Sequence, residues 1–172
     1  ARETCQIVRL AATALQYAHE QKVIHRDVKP SNLMITAESN IKLLDLGLAQ
    51  ILDLTVQESL TQANQALGTL AYMAPEQLSG RLPITQQSDI FSLGVTLHEL
   101  LTGQRPFERS GLPPLVSDLK SIRPDIDAEL NALVGSMLAL SPAERPASMS
   151  EVVARLSTFA ASAELPTLLA EY

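Results

Sequence analysis

The stretch from Val23 to Gly47 constrains the chain most, because it sets polar side chains capable of chemistry among short apolar runs. It reads V-I-H-R-D-V-K-P-S-N-L-M-I, a polar turn around Glu38 to Asn40, and then I-K-L-L-D-L-G. Leu33, Met34 and Ile35 on one side, with Ile41, Leu43 and Leu44 on the other, predict two short buried strands joined as a hairpin. Asp27 and Asn32 precede the first strand and Asp45 ends the second. A hairpin of that shape brings Asn32 and Asp45 together. Two oxygen-bearing side chains facing one small volume form a donor set for Mg²⁺, whose octahedron phosphate oxygens and water complete.

H-R-D-V-K-P-S-N resembles the catalytic loop of the eukaryotic-type serine/threonine protein kinases, in a bacterial-looking form, and D-L-G resembles their D-F-G. Gly68 to Glu76, G-T-L-A-Y-M-A-P-E, resembles the end of the kinase activation segment. S-D-I-F-S-L-G-V-T-L-H-E-L-L-T-G resembles the central helix of the C-terminal lobe, and Arg145-Pro146 resembles that lobe's late arginine. These motifs follow the family's order and cover the chain to about Leu156. The resemblance implies a mainly α fold, an α+β kinase-like C-terminal lobe in which a small β-hairpin carries the catalytic and metal-binding loops. It places that lobe at residues 1–162 and a tail or linker at 163–172.

Phosphoryl transfer to a hydroxyl needs a carboxylate to accept the proton and aim the oxygen, and Asp27 fits that role. Alone, an Asp before Pro30 is also a common turn residue. Lys29 and Asn32 at the kinase offsets favour the catalytic reading. Lys29 is suited to neutralising charge that builds on the transferred group. By resemblance, the Thr69 hydroxyl bridges Asp27 and Lys29, and both residues point to serine/threonine chemistry. Asn32 and Asp45 are the implied Mg²⁺ ligands; a strand-ending Asp before a Gly turn is the other use of Asp45. Met34 is implied to lie beneath the adenine of ATP, which is compatible with a plain core methionine.

Other implied roles are structural or regulatory. His25 has no Cys, His or carboxylate near it at metal-ligand spacing and reads as a buried structural histidine. Arg26 pairs with a phosphate or acid on the activation segment. Leu46 replaces the usual phenylalanine ahead of Gly47 and still supplies an apolar plug, with less area and no ring. From Leu48 to Leu67 the polar, Gln-rich run reads as an activation loop in which Thr55, Ser59 and Thr61 are candidate phosphate acceptors or simply solvated hydroxyls. Glu76 and Arg145, each an ordinary surface charge in isolation, resemble the family's buried ion pair. Asp89 caps its helix or accepts hydrogen bonds from the catalytic-loop backbone.

Helices are expected at Thr4 to Glu20, with an apolar stripe of Ile7, Leu10, Ala11, Ala14, Leu15 and Ala18, and at Ser88 to Thr102, begun by Ser88 or Asp89 and ended by Gly103. Further helices are expected near Leu115 to Ser121, Ala128 to Leu140 and Met149 to Ala161. The net charge of −6 gives no electrostatic case for nucleic acid or an anionic membrane surface. No apolar run is long enough to span a bilayer. Cys5 is the single cysteine, which excludes an internal disulfide and suits a reducing, cytoplasmic setting.

The Gly-rich loop and the strand lysine of a complete kinase precede a segment of this kind, so the expected partners are an N-terminal lobe and a protein substrate. The expected function is transfer of the ATP γ-phosphate to Ser/Thr hydroxyls, with little activity from this chain alone. The alternative is a pseudokinase or truncated binding module that uses the same lobe without chemistry.

Overall fold

A computed structural model describes residues 1–36, 39–45, 68–107 and 118–160. The chain enters on helix α1 (Arg2–Glu20) and passes through a 3₁₀ turn (Pro30–Asn32) into strands β1 (Leu33–Ile35) and β2 (Ile41–Leu43). Helices α2 (Pro75–Ser79), α3 (Gln86–Thr102), α4 (Leu119–Ile122) and α5 (Ala128–Met137) follow. A second 3₁₀ turn (Pro142–Glu144) leads to helix α6 (Met149–Ala160). The described residues are thus helical with one two-stranded sheet. Among them no helix is long and apolar enough to cross a membrane.

Helix α1 packs chiefly on α6 and also meets α3 and β2. Its fully covered side chains are Cys5, Val8, Ala11, Ala12 and Leu15. Ile7, Leu10, Ala14 and Ala18, expected on the buried stripe, are only half-buried. The apolar arc of α1 is wide, and a helix clasped from more than one side centres its burial where those neighbours meet. Gln16 Oε1 accepts the Ser150 amide at 2.9 Å, so α1 also satisfies a free N–H at the start of α6.

Helix α3 is buried on almost every side from Ser88 to His98, which makes it the centre of the core. It starts before Ser88, with Thr85 as the N-cap through a 3.3 Å bond from Gln87 N. Ser88 and Asp89 do not cap because their oxygens are committed to distant partners, described below. Gly103 closes the helix at φ 73°, a left-handed conformation that glycine adopts without strain. Gly94 lets α5 approach: a Cβ there would lie 2.9 Å from Met137 Cβ.

Helix α5 stops at Met137, short of Leu140, because the next carbonyls leave the helical ladder: Ala139 O and Leu140 O accept from the Arg145 guanidinium at 2.8 and 3.2 Å. The short α4 begins at Leu119 under the Asp118 cap. The strands pair antiparallel with Leu33 opposite Leu43, Met34 opposite Lys42 and Ile35 opposite Ile41. They are not fully buried as expected. A single two-stranded layer covers one face, so Leu33, Ile41 and Leu43 pack on the core while Met34 stays 45% exposed. Leu46, Gly47, Thr55, Ser59 and Thr61, residues 108–117 with Leu115 among them, and the expected tail at 163–172 lie outside the described residues.

Candidate active site

The loop between α1 and β1 owes its shape to one buried carboxylate. Asp89, in the first turn of α3 and fully buried, accepts the backbone N–H of His25 at 2.9 Å on Oδ2 and that of Arg26 at 2.8 Å on Oδ1. The same Oδ2 lies 2.7 Å from His19 Nε2, at the end of α1. Arg26 sits at φ 69°. A non-glycine residue there costs about 1–3 kcal/mol and persists only where its surroundings over-determine it. Asp89 supplies part of that constraint. His25 is buried as expected: its Nδ1 accepts the Asp27 amide at 3.3 Å, which leaves Nε2 to donate to Leu44 O at 3.1 Å.

Four polar side chains then converge. Lys29 Nζ lies 2.8 Å from Asp27 Oδ2 and donates to Thr69 Oγ1 at 2.9 Å. Asn32 Nδ2 donates to Asp27 O at 2.8 Å and to Asp27 Oδ2 at 3.0 Å. The expectation for Thr69 is thereby corrected, since Lys29 is the bridging group. An ammonium carries three donors on a flexible stem and reaches both oxygens, whereas the threonine hydroxyl sits at one end of the chain. Asp27 Oδ2 takes two donors, and Oδ1 has no hydrogen-bond partner among the described residues. A carboxylate held this way is oriented and still has an oxygen available to receive a proton.

The hairpin brings the second carboxylate to the loop. Leu44 N donates to Asn32 O at 2.9 Å, tying the end of β2 to the residue before β1, and Asp45 follows directly. Asp45 is exposed and adopts φ 52°, which Asp tolerates better than most residues. Both bonds from the Asn32 amide nitrogen go to Asp27, so its Oδ1 is the atom left as an acceptor. An amide oxygen and an exposed carboxylate are hard donors that suit Mg²⁺, which keeps several of its own waters and needs few protein ligands. Among the described residues no cluster of three or more His, Cys, Asp or Glu could hold a metal by itself.

Behind the loop, Glu76 and Arg145 form a two-point ion pair, with Nη1 to Oε1 at 2.7 Å and Nη2 to Oε2 at 2.9 Å. Their side chains are 1% and 0% exposed. Ser88 Oγ adds a bond to Glu76 Oε1 at 2.8 Å, Gln87 O accepts from Arg145 at 2.8 Å, and the guanidinium lies 4.9 Å from the Phe91 ring centre. Burial pushes the Glu76 carboxyl up, but hydrogen bonds from Arg145, the backbone and Ser88 outweigh it and hold the group below its ordinary value. Tyr72 OH donates to Glu99 on α3, and burial followed by that bond drives the phenol well above its usual range. Gln77, beside Glu76, donates from Nε2 to Arg26 O at 2.9 Å.

Three of these residues escaped the sequence reading. His19 stands four residues after Leu15 on the covered face of α1, a spacing that marks it as inward-facing. Gln77 is the third residue after Ala74, the place of the glutamine half of a capping box, but the Ser or Thr half is missing. Glu99 gave no local signal, because its partner Tyr72 is distant in sequence. Arg26 has no ion-pair partner among the described residues, and Asp27, Lys29, Asn32 and Thr69 form one cluster. A cavity of about 380 Å³ lies elsewhere, between the start of α1, the start of α5 and the end of α6. Cys5 lines it, and burial raises its thiol to about 11, which makes it a poor nucleophile.

Comparison with known proteins adds the following. Residues 1–156 match the family described as "Protein kinase domain". The chain is 36% identical over 165 residues to the serine/threonine-protein kinase PknB of Mycolicibacterium smegmatis, covering 90% of this chain and 26% of that protein. It is 38% identical over 154 residues to PknH of Mycobacterium bovis, covering 85% and 25%. The crystal structure of the Mycobacterium tuberculosis PknI kinase domain superposes with a TM-score of 0.69 at 32% identity, over 91% of this chain and 55% of that one. The chain therefore spans about a quarter of the length of these curated relatives.

Proposed function

The chain belongs to the protein kinase family, in its eukaryotic-type serine/threonine branch as found in bacteria, and on that premise we propose that it is the C-terminal lobe of such an enzyme. Residues 1–162 form the lobe and 163–172 a tail. Joined to an N-terminal lobe and working in the cytoplasm, it transfers the γ-phosphate of ATP to serine or threonine hydroxyls of a protein substrate. Alone it has little activity, since half of the nucleotide site belongs to the other lobe.

In this reading Asp27 receives the hydroxyl proton through Oδ1 as the substrate oxygen bonds to the γ-phosphorus and ADP leaves. Lys29, held between Asp27 and Thr69, offers its positive charge to the transferred group. Asn32 keeps the Asp27 carboxylate from rotating and, with Asp45, would hold Mg²⁺. Bound Mg²⁺ would neutralise phosphate charge and orient the triphosphate. Met34 offers an exposed thioether to the adenine. Arg26 pairs with phosphate on the activation loop, where Thr55, Ser59 and Thr61 are the candidate acceptors.

The observation that carries the reading is the Asp27 carboxylate, gripped on one oxygen by Lys29 and Asn32 with the other oxygen unpartnered among the described residues. The test is phosphate transfer from labelled ATP to a protein substrate by this chain joined to its N-terminal lobe, beside Asp27→Asn and beside the chain alone. Transfer by the joined chain, lowered about 10²- to 10⁴-fold in the variant, supports the assignment. An Asp27→Asn enzyme as fast as the parent would overturn it. Equal turnover by the chain alone would overturn the claim that the lobe is inactive by itself.

A further inference from the structure

Gln77 touches none of the groups assigned above to chemistry, yet its side-chain amide is engaged at both ends. Its Oε1 accepts the Ala74 amide at 3.0 Å, which closes the start of α2. Its Nε2 crosses to the Arg26 carbonyl at 2.9 Å, across 51 residues of chain. That carbonyl and the Asp27 N–H belong to one rigid peptide plane. The N–H end of the plane is held more loosely, by His25 Nδ1 at 3.3 Å. On its other side Arg26 donates its own N–H to Asp89 at 2.8 Å, with φ at 69° between the two peptides.

We propose that Gln77 is a positioning residue for Asp27: its amide nitrogen locks the Arg26–Asp27 peptide plane and so sets the direction in which the Asp27 side chain leaves the backbone. The neighbouring Glu76 is fixed in the core by Arg145. The anchor of the 74–77 segment and the orientation of the base are therefore one mechanical unit, joined through a single amide. Displacing α2 would release the plane even with Asp89 in place. The catalytic half of this statement rests on the proposed role of Asp27; the structural half does not.

Two substitutions separate positioning from capping. Gln77→Glu keeps an oxygen for the Ala74 amide but removes the donor and sets a carboxylate against the Arg26 carbonyl. Gln77→Leu removes both bonds. Backbone amide exchange in the kinase chain with its N-terminal lobe is the first readout. The Asp27 amide should exchange about 5- to 10-fold faster in both variants, the loss of roughly one hydrogen bond, whereas the Ala74 amide should lose protection only in Gln77→Leu. The second readout is kinetic: kcat should fall about 10- to 100-fold in both, with KM for ATP within about twofold of the parent. A Gln77→Glu chain with parental Asp27 exchange and parental kcat would show that Gln77 is only a cap, and the proposal would be wrong. Faster Asp27 exchange in the two variants, in a kinase chain whose parent transfers no phosphate, would overturn the phosphotransfer reading and still support the locked peptide plane.

Discussion

Glu76 and Arg145, separated by 69 residues, meet through two hydrogen bonds at 2.7 and 2.9 Å with both side chains shut off from water. Arg145 also donates to the carbonyls of Gln87, Ala139 and Leu140, so one guanidinium joins α2, the first turn of α3 and the chain after α5. Removing one partner leaves the other charge buried and unpaired.

Arg145→Met should therefore destabilise the fold by about 3 to 5 kcal/mol, and Glu76→Gln somewhat less because the amide keeps one acceptor. Urea unfolding of the chain joined to the proposed N-terminal lobe measures both. A change under about 1 kcal/mol for Arg145→Met would mean that the pair does not anchor the fold.

The same pair has an acid limb. The Glu76 carboxyl is held below its ordinary value of 4.5, so its stabilisation is fully present above that value and drains away as pH falls through the lower folded-state value. The urea midpoint should drop as pH falls below the ordinary value of 4.5, with a smaller drop in Glu76→Gln, which has no proton to take up. An identical acid profile in the two proteins would place the acid sensitivity elsewhere.

Lys29 is predicted to matter more than Thr69 because it stands between two oxygens. Lys29→Met removes the cation and both contacts and should lower kcat by about 10²- to 10³-fold in the joined chain. Thr69→Val removes one acceptor while Asp27 still holds Lys29, so its loss should be about tenfold or less. The reverse ranking of the two would shift the bridging role back to Thr69.

Gly94 fixes the separation of α3 and α5. An added methyl would stand 2.9 Å from Met137 Cβ and 3.3 Å from Leu138 Cδ2, and a Cβ cannot rotate aside. Gly94→Ala should gain about 1 kcal/mol of helix propensity and lose about 1–3 kcal/mol to overpacking, for a net fall in Tm. A raised Tm would mean that the two helices separate at no cost.

Much of this was legible from local chemistry. The paired apolar runs announced the hairpin, the Gly103 stop announced the end of α3, and the near-continuous apolar face of residues 90 to 101 announced its burial. Boundaries were less legible where a distant residue intervened. Ser88 and Asp89 look like caps until Glu76 and the 25–26 backbone claim their oxygens, and α5 looks longer until Arg145 takes the Ala139 and Leu140 carbonyls.

By itself the sequence determined which side chains are candidates for chemistry and which of the described segments are helix or strand, because periodicity, caps and residue type act within a few residues. Tertiary structure alone decided how those groups meet. It put Lys29 rather than Thr69 in the middle, drew His19 and Gln77 into the support of the loop, and left Met34 on an open face. Hydrogen bonds spanning tens of residues depend on where two elements come to rest against each other, and no local pattern encodes that distance.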